Sequence, residues 1–250
     1  MRIGQWKKIT NWILFAVLAV SVVFTIVRII LAPSETTEEF TKVKSDYVLM
    51  LLQCLLGLVV MSLPGWIERH KRIDIPDAME ILYAVFLFCA IYLGEVQDFF
   101  YLIPHWDTLL HAFSGVMLGL VGFTLVDLLN EADRVRIRLS PMFVAVFSFC
   151  FALAVGCVWE IYEFLADGLM SLNMQKFRLA DGTELIGRAA LADTMEDFIV
   201  DGLSAFSAAA MGYVTIKRRA AAAAARPSDP AGTIAGGSGS TDSAARLPDR

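Results

Sequence analysis

A helix needs ~20 mainly apolar residues to cross a bilayer. Six stretches of this chain qualify: 12–32, 47–66, 79–100, 108–129, 142–162 and 197–216. Basic residues Arg2, Lys7 and Lys8 precede the first, as in a signal peptide. Its apolar run is too long for one, and bulky Ile30 and Pro33 spoil the small-residue site, so an uncleaved helix is expected. Pro64-Gly65 stops the second. The third is apolar only to Gly94 and must include Glu95 and Asp98 to span. The pattern predicts an all-α polytopic membrane protein with six transmembrane helices.

Lys and Arg set the orientation, because cytoplasmic loops are enriched in both. With residues 1–11 cytoplasmic, the inner flanks hold Arg2, Lys7, Lys8; Arg69, Lys71, Arg72; Arg134, Arg136, Arg138; and Lys217, Arg218, Arg219. The outer loops hold only Lys42, Lys44, Lys176, Arg178 and Arg188. The expectation is N-in/C-in. The tryptophans Trp6, Trp12, Trp66, Trp106 and Trp159 fall at or near segment ends, as an interfacial belt does. The outer loop 167–193 contains Asp181-Gly182 between short alternating runs, which predicts a β-hairpin that either covers the outer face as a lid or is a solvated connector. The tail 217–250, an Ala run followed by Gly, Ser, Pro and Asp, has too few large apolar side chains for a core and is expected to be disordered, on the cytoplasmic side.

The polar positions that interrupt the apolar pattern are ordered. Asp107 and His111 are four apart; Glu160, Glu163 and Asp167 step by three and four; Asp193, Asp197 and Asp201 step by four and four. Each set forms one stripe on its helix. Measured at ~1.5 Å per residue from each cytoplasmic end, these stripes and Glu95 and Asp98 reach the outer boundary of the hydrocarbon at one depth. A polar stripe on an apolar helix should face the bundle interior or a watery cavity.

Asp107 and Asp193 can be read as helix N-caps, Asp193 with Glu196 three residues on. Capping does not explain Glu160 and Glu163, which lie near a helix C-terminus where the dipole opposes an acid. Glu95 and Asp98 have the same problem, and Arg28 in the outer turns of the first helix is expected to pair with one of them. Carboxylates with one imidazole suit a divalent metal such as Mg, Mn, Fe or Zn. On that reading Asp107, His111, Glu160 and Asp197 are ligands, and Glu163 or Asp201 is the general base that activates water. His70 is expected to be solvated, His105 to be interfacial, and Asp127 to pair with a loop arginine. Small residues Gly115 and Gly119, and Gly202 to Gly212 on the sixth helix, should let the fourth and sixth helices approach closely. Both of those helices open with Asp-Thr-x-x-(His or Asp), at 107–111 and 193–197.

Composition narrows the class. The chain is 57% hydrophobic and 19% charged, with mean hydropathy +0.60. Cys54, Cys89, Cys150 and Cys157 lie inside the apolar blocks without metal-site spacing and read as packing residues. A net charge of −5 with no basic, aromatic-interleaved stripe argues against nucleic acid binding.

Three motifs carry a resemblance: Trp106-Asp-Thr-Leu-Leu-His111 with Ser114-Gly115, Trp159-Glu-Ile-Tyr-Glu-Phe164, and Asp193-Thr-Met-Glu-Asp197. Over residues 40 to 216 the chain resembles the YjdF-like family of uncharacterised bacterial inner-membrane proteins. It is distantly similar to the VanZ-like membrane proteins, which carry an Asp-x-x-x-His helix opening. The resemblance implies a multi-pass protein of the inner (plasma) membrane and gives weight to the three motifs; it implies no reaction.

Three functions remain open from the residues: a metal-dependent membrane hydrolase or transferase acting on a lipid or envelope substrate, an ion- or proton-coupled transporter, and a structural or accessory protein with a buried polar network. The topology is separately testable. On a cysteine-free background, one cysteine placed in the 170–190 loop should react with a membrane-impermeant maleimide from outside; labelling only from the cytoplasm overturns the orientation.

Overall fold

The computed structural model describes residues 3–32, 42–71, 74–131, 139–170, 172–179 and 182–225. Six helices are long and apolar enough to cross a membrane: Ile3–Leu31, Lys44–His70, Asp77–Val96, Trp106–Asp127, Pro141–Met170 and Arg188–Ala222. In chain order they are α1 (Ile3–Leu31); α2 (Lys44–Val60) continued by α3 (Leu63–Lys71); α4 (Asp77–Leu87) continued by a π-helical segment (Phe88–Val96); then, after the single turn α5 (Phe99–Leu102), α6 (Trp106–Glu131), α7 (Pro141–Met170) and α8 (Arg188–Ala224). Their outer faces are apolar and bare, as lipid-facing helices require: Val20, Ile30, Val158 and Phe206 are all exposed, and Leu169 keeps 81% of its surface.

Several boundaries differ from the apolar runs, each for a local reason. Pro64 falls in the first turn of α3, where a missing N–H is harmless, so the second span continues to Lys71 instead of stopping. The third span ends at Val96 rather than near residue 100. Asp98 takes up a left-handed conformation (φ 63°), which Asp tolerates better than most residues. α8 begins at Arg188, nine residues before Asp197, because Ala189, Ala190, Leu191 and Ala192 are strong helix formers. Alanine acts the same way at the other end: α8 continues through Lys217 to Ala224, so the start of the expected disordered tail is helical. Residues 226–250 lie outside the described residues. The connection between α7 and α8 is thereby shortened to residues 171–187. Among the described residues, which leave out Asp181, the predicted hairpin shows one antiparallel bridge, Arg178 to Glu184, flanked by Leu185 N–H donating to Phe177 O at 2.8 Å and Leu179 N–H donating to Thr183 O at 2.9 Å.

The spans pack as two trios. α1, α2 and α4 with its π-helical continuation bury Leu14, Leu18, Met50, Cys54, Ala84 and Ile91 together. At one end of this trio Lys7 pairs with Glu80 and reaches Asp77 at 3.2 Å and Glu68 at 3.7 Å. At the other end Arg28 donates to the Tyr47 hydroxyl (Nε to Oη 2.8 Å), while Asp98 pairs with Lys42 at 2.5 Å. The expected pairing of Arg28 with a third-span acid is therefore incorrect: the break at Asp98 turns that carboxylate toward the loop lysine.

α6, α7 and α8 form the second trio, with α6 against α8 the most extensive contact. Small residues set the spacing. A Cβ at Gly119 would lie 2.8 Å from Ala208 Cβ, one at Gly122 would lie 2.8 Å from Ser148 Cα, and one at Gly212 would strike the Phe123 ring. The trios meet through α4 and α6, where Phe86 and Phe113 stack at 5.9 Å. Gly119→Leu should wedge α6 from α8 and lower stability by about 1–3 kcal/mol. Gly202→Ala, whose Cβ meets nothing within 4 Å, should not destabilise; thermal unfolding in detergent measures both.

Candidate functional site

The second trio carries the polar stripes, and antiparallel packing brings the start of α6, the end of α7 and the start of α8 to one end of the bundle. α6 starts at Trp106, after His105 in a left-handed conformation (φ 61°). Asp107 lies in its first turn, and His111 follows one turn later on the same face. Glu160 and Glu163 face inward from α7, and Asp197 and Asp201 from α8; all four and His111 are buried.

The imidazole is the centre of the arrangement. His111 Nδ1 lies 3.2 Å from Asp201 Oδ1, a hydrogen bond that fixes the ring. Its other nitrogen, Nε2, faces three carboxylates: Asp197 Oδ2 at 3.7 Å, Glu160 Oε1 at 3.9 Å and Asp107 Oδ1 at 3.9 Å. These separations are too long for hydrogen bonds. Glu160 and Asp197 each retain only 3% of their surface, yet neither oxygen of Glu160 and not Oδ2 of Asp197 has a hydrogen-bond donor. The Thr194 hydroxyl is the candidate donor nearest Glu160, but it does not meet hydrogen-bond geometry. Asp193 Oδ2 and Asp201 Oδ2 are likewise buried without a donor.

Room for these groups comes from missing side chains. A Cβ at Gly156 of α7 would collide with Asp201 Oδ2, and one at Gly115 of α6 would collide with Ser204 Oγ and approach the Asp201 carbonyl at 3.2 Å. The glycines thus permit both the helix contact and the carboxylate seated in it.

Asp107, His111, Glu160, Asp197 and Asp201 converge. Glu163, one turn from Glu160, is buried beside them. The capping reading of Asp193 is incorrect: α8 has Gly187 as its N-cap, so Asp193 lies inside the helix. Asp107 is a first-turn residue rather than the cap, favourably placed for the dipole but free to face His111. Asp167 does structural work, accepting the backbone N–H of Met174 (2.7 Å) and Gln175 (2.9 Å) and so tying the 171–187 connection to α7. His105 is exposed, and His70 is exposed and stacked on Trp66 at 4.7 Å, so neither joins the cluster. The arginines expected to pair with Asp127 lie outside the described residues.

Lys176 is a member the sequence pattern does not reveal. It sits in the α7–α8 connection with φ 49°, its ammonium 4.4 Å from the centre of the Phe100 ring. Burial pulls its pKa down, but Tyr101, Glu95, Asp107 and Glu163 more than offset this and hold it above the ordinary lysine value. Lys176 is therefore a fixed cation at the rim of an acidic cluster. Only its charge in an acid-rich loop hints at this in the sequence; the backbone turn that aims it inward has no local signature.

The family pattern described as Predicted membrane protein (DUF2238) matches residues 9–218. The chain belongs to that family. No curated protein and no solved structure gives a significant match. The part of the chain matched to the family takes in all six spans' apolar cores and every residue of the cluster.

A cavity also borders the cluster at Glu160, whose two carboxylate oxygens are closed off from it. It measures ≈ 750 Å³ and runs between α7, α8 and the 171–187 connection. Ile161, Phe164, Leu191 and Phe198 form apolar walls, and Glu160, Asp167, Gln175 and Thr194 are its polar members. Among the described residues, two groups of three have ligand atoms within 4.8 Å of one another: His111, Glu160 and Asp197, and Asp107, Asp193 and Asp197. Crowded carboxylates of this kind must share a cation or bind protons. His111→Ala should leave buried Asp201 without its hydrogen-bond partner and cost about 1–3 kcal/mol. The loss should shrink in the His111→Ala/Asp201→Asn double variant, and His105→Ala should change stability by less than about 0.5 kcal/mol. A double-mutant cycle of thermal unfolding provides the check.

Proposed function

We propose that the protein is a divalent-metal-dependent hydrolase or transferase of a cell membrane, acting on a lipid or envelope substrate from the extracytoplasmic side, with both termini cytoplasmic. The observation that carries this reading is the buried, donor-less carboxylate of Glu160, which faces His111 Nε2 together with Asp197 and Asp107. Two bonds of about 2.1 Å meeting at a tetrahedral angle separate their ligand atoms by roughly 3.4 Å, close to the 3.7–3.9 Å found between Nε2 and the three oxygens. Asp201 behind Nδ1 supports the same reading. A ligating histidine usually gives its other N–H to a carboxylate, which fixes its tautomer and orientation.

Roles follow from position. Asp107, His111, Glu160 and Asp197 hold the cation, which polarises the substrate and makes water a better nucleophile. Asp201 is a positioning residue, because its contact is to the far side of the imidazole. Glu163 is the general base of the pair considered, buried next to the cluster without a hydrogen bond to His111. Lys176 offers a charge to an anionic head group. The largely apolar cavity that borders Glu160 suits an acyl chain lying between α7 and α8 beside the cluster. N-in/C-in rests on the Lys and Arg distribution, and it places the cluster outside.

Purified protein should retain a divalent metal, measured by plasma mass spectrometry, and Glu160→Gln should lower its affinity at least 10-fold while leaving the helical signal unchanged. In nanodiscs of bacterial polar lipids, metal-loaded protein should convert a lipid to a new product seen by mass spectrometry, and Glu163→Gln should abolish turnover while retaining metal. Absence of divalent binding sinks the reading. Cation or proton flux in proteoliposomes, lost in Asp201→Asn, would make the protein a transporter instead.

A further inference from the structure

The donor set is larger than one cation needs, and it divides. His111, Glu160 and Asp197 form one group, and Asp107, Asp193 and Asp197 form another. Asp197 belongs to both. A carboxylate has two oxygens and can give one to each side. We propose that the site is dinuclear: the first cation keeps His111, Glu160 and Asp197, Asp107 passes from it to a second divalent cation held by Asp107, Asp193 and Asp197, and Asp197 bridges the two ions. This rests on the metal reading above and extends it.

Three observations converge on the second position. The first is burial without a partner: Asp193 Oδ2 is shut off from solvent and has no hydrogen-bond donor, and Asp197, 3% exposed, has the same lack at Oδ2. An unpaired buried carboxylate is expensive, and Asp193 is not capping its helix, since α8 starts at Arg188. The second is charge. The ligand set contains four carboxylates, Asp107, Glu160, Asp193 and Asp197, with a histidine that ligates as a neutral group. One divalent ion leaves this set with an excess of two negative charges, whereas two ions balance it.

The third is placement along the helices. α6 and α8 both start at the site end of the bundle, and each supplies residues one turn apart: Asp107 and His111 from α6, Asp193 and Asp197 from α8. The inner residues, His111 and Asp197, meet Glu160; the outer residues, Asp107 and Asp193, meet above them. The repeated Asp-Thr-x-x-(His or Asp) opening thus builds two layers of one site. The outer layer has no histidine and takes a hard, oxygen-seeking cation such as Mg or Mn. The inner layer, with its imidazole, also accepts Fe or Zn.

The test uses full-length protein in nanodiscs, stripped with chelator and reloaded with Mn²⁺. Wild type should bind two Mn²⁺ per chain and give the electron paramagnetic resonance signal of a spin-coupled pair. Asp193→Asn should bind one and give an uncoupled six-line signal, and Asp107→Asn, the second variant should the first misfold, should do the same. Asp197→Asn should lose the coupled signal and weaken both sites. A wild-type content of one Mn²⁺ per chain, unchanged by Asp193→Asn, overturns the dinuclear site while leaving the mononuclear one intact. Loss of all Mn²⁺ from monodisperse Asp193→Asn overturns the division into two sites. Absence of Mn²⁺ from wild type, with no other divalent metal bound in its place, overturns both readings.

Discussion

The structure depends on one electrostatic problem: five or more carboxylates are collected around one imidazole inside a bundle whose outer surface is hydrocarbon. Ionised acids in such surroundings repel one another and lose hydration, and each effect outweighs the gain from an ordinary side-chain packing contact. His111 answers part of it. It hydrogen-bonds Asp201 on one side and faces Asp197, Glu160 and Asp107 on the other. Lys176 answers another part from the rim, where its charge is held in place by Tyr101, Glu95, Asp107 and Glu163. These two groups are too few for the acids present, and the donor-less oxygens of Glu160, Asp193, Asp197 and Asp201 mark the remainder. A network built only to fix helix packing would pair its members directly. At one end of the first trio Lys7 makes direct ion pairs of that kind with Glu80, Asp77 and Glu68, although Glu80 Oε1 also lacks a partner in full hydrogen-bond geometry.

The bundle is arranged around this problem. Gly115, Gly119 and Gly122 bring α6 against α8 and α7, and Gly156 leaves the volume that Asp201 fills. Close approach is what turns stripes on three separate helices into one cluster. With side chains of ordinary size at those positions the carboxylates would stand farther from Nε2, and water could reach them. Asp167 then fastens the α7–α8 connection by two backbone hydrogen bonds. Leu172 and Met174 are buried against Leu49 and Ala166. This anchoring presents Lys176 toward the cluster. The connection therefore combines a fixed base with a charged tip, which is more than a solvated linker provides.

Much of this was legible in the sequence. Six spans follow from length and hydropathy, because lipid tolerates few alternatives to an apolar helix. The convergence of Asp107, His111, Glu160, Asp197 and Asp201 follows from helical spacing and a common depth. What was not legible depends on contacts distant in sequence or on single backbone angles. Arg28 turns to Tyr47 because Asp98 is taken by Lys42, and that in turn follows from a left-handed residue after a π-helical segment. α8 starts ahead of its apolar run, because such a run marks where a helix enters lipid, not where it begins. That difference has a chemical consequence. Placed at a helix start, Asp193 is a cap; placed more than a turn inside, it is a half-buried acid whose Oδ2 is shut off without a donor, and that needs another explanation.

That shift also changes how the repeated opening motif is understood. Two matches of five residues are weak evidence of common origin, and origin is not required for the physical argument. Two helices that run in the same direction, pack through small residues and each carry polar residues at i and i+4 will present two layers of polar groups, one turn apart. Histidine in one inner position and aspartate in the other make the inner layer mixed in ligand type, while the outer layer is carboxylate only. The third helix, α7, runs in the opposite direction and contributes Glu160 to the inner layer. Because α7 continues to Met170, Glu160 lies inside the helix and not near its C-terminus, where the apolar run ending at residue 162 places it. An acid in a buried position and without a donor is hard to explain by packing. It is readily explained if a cation belongs beside it.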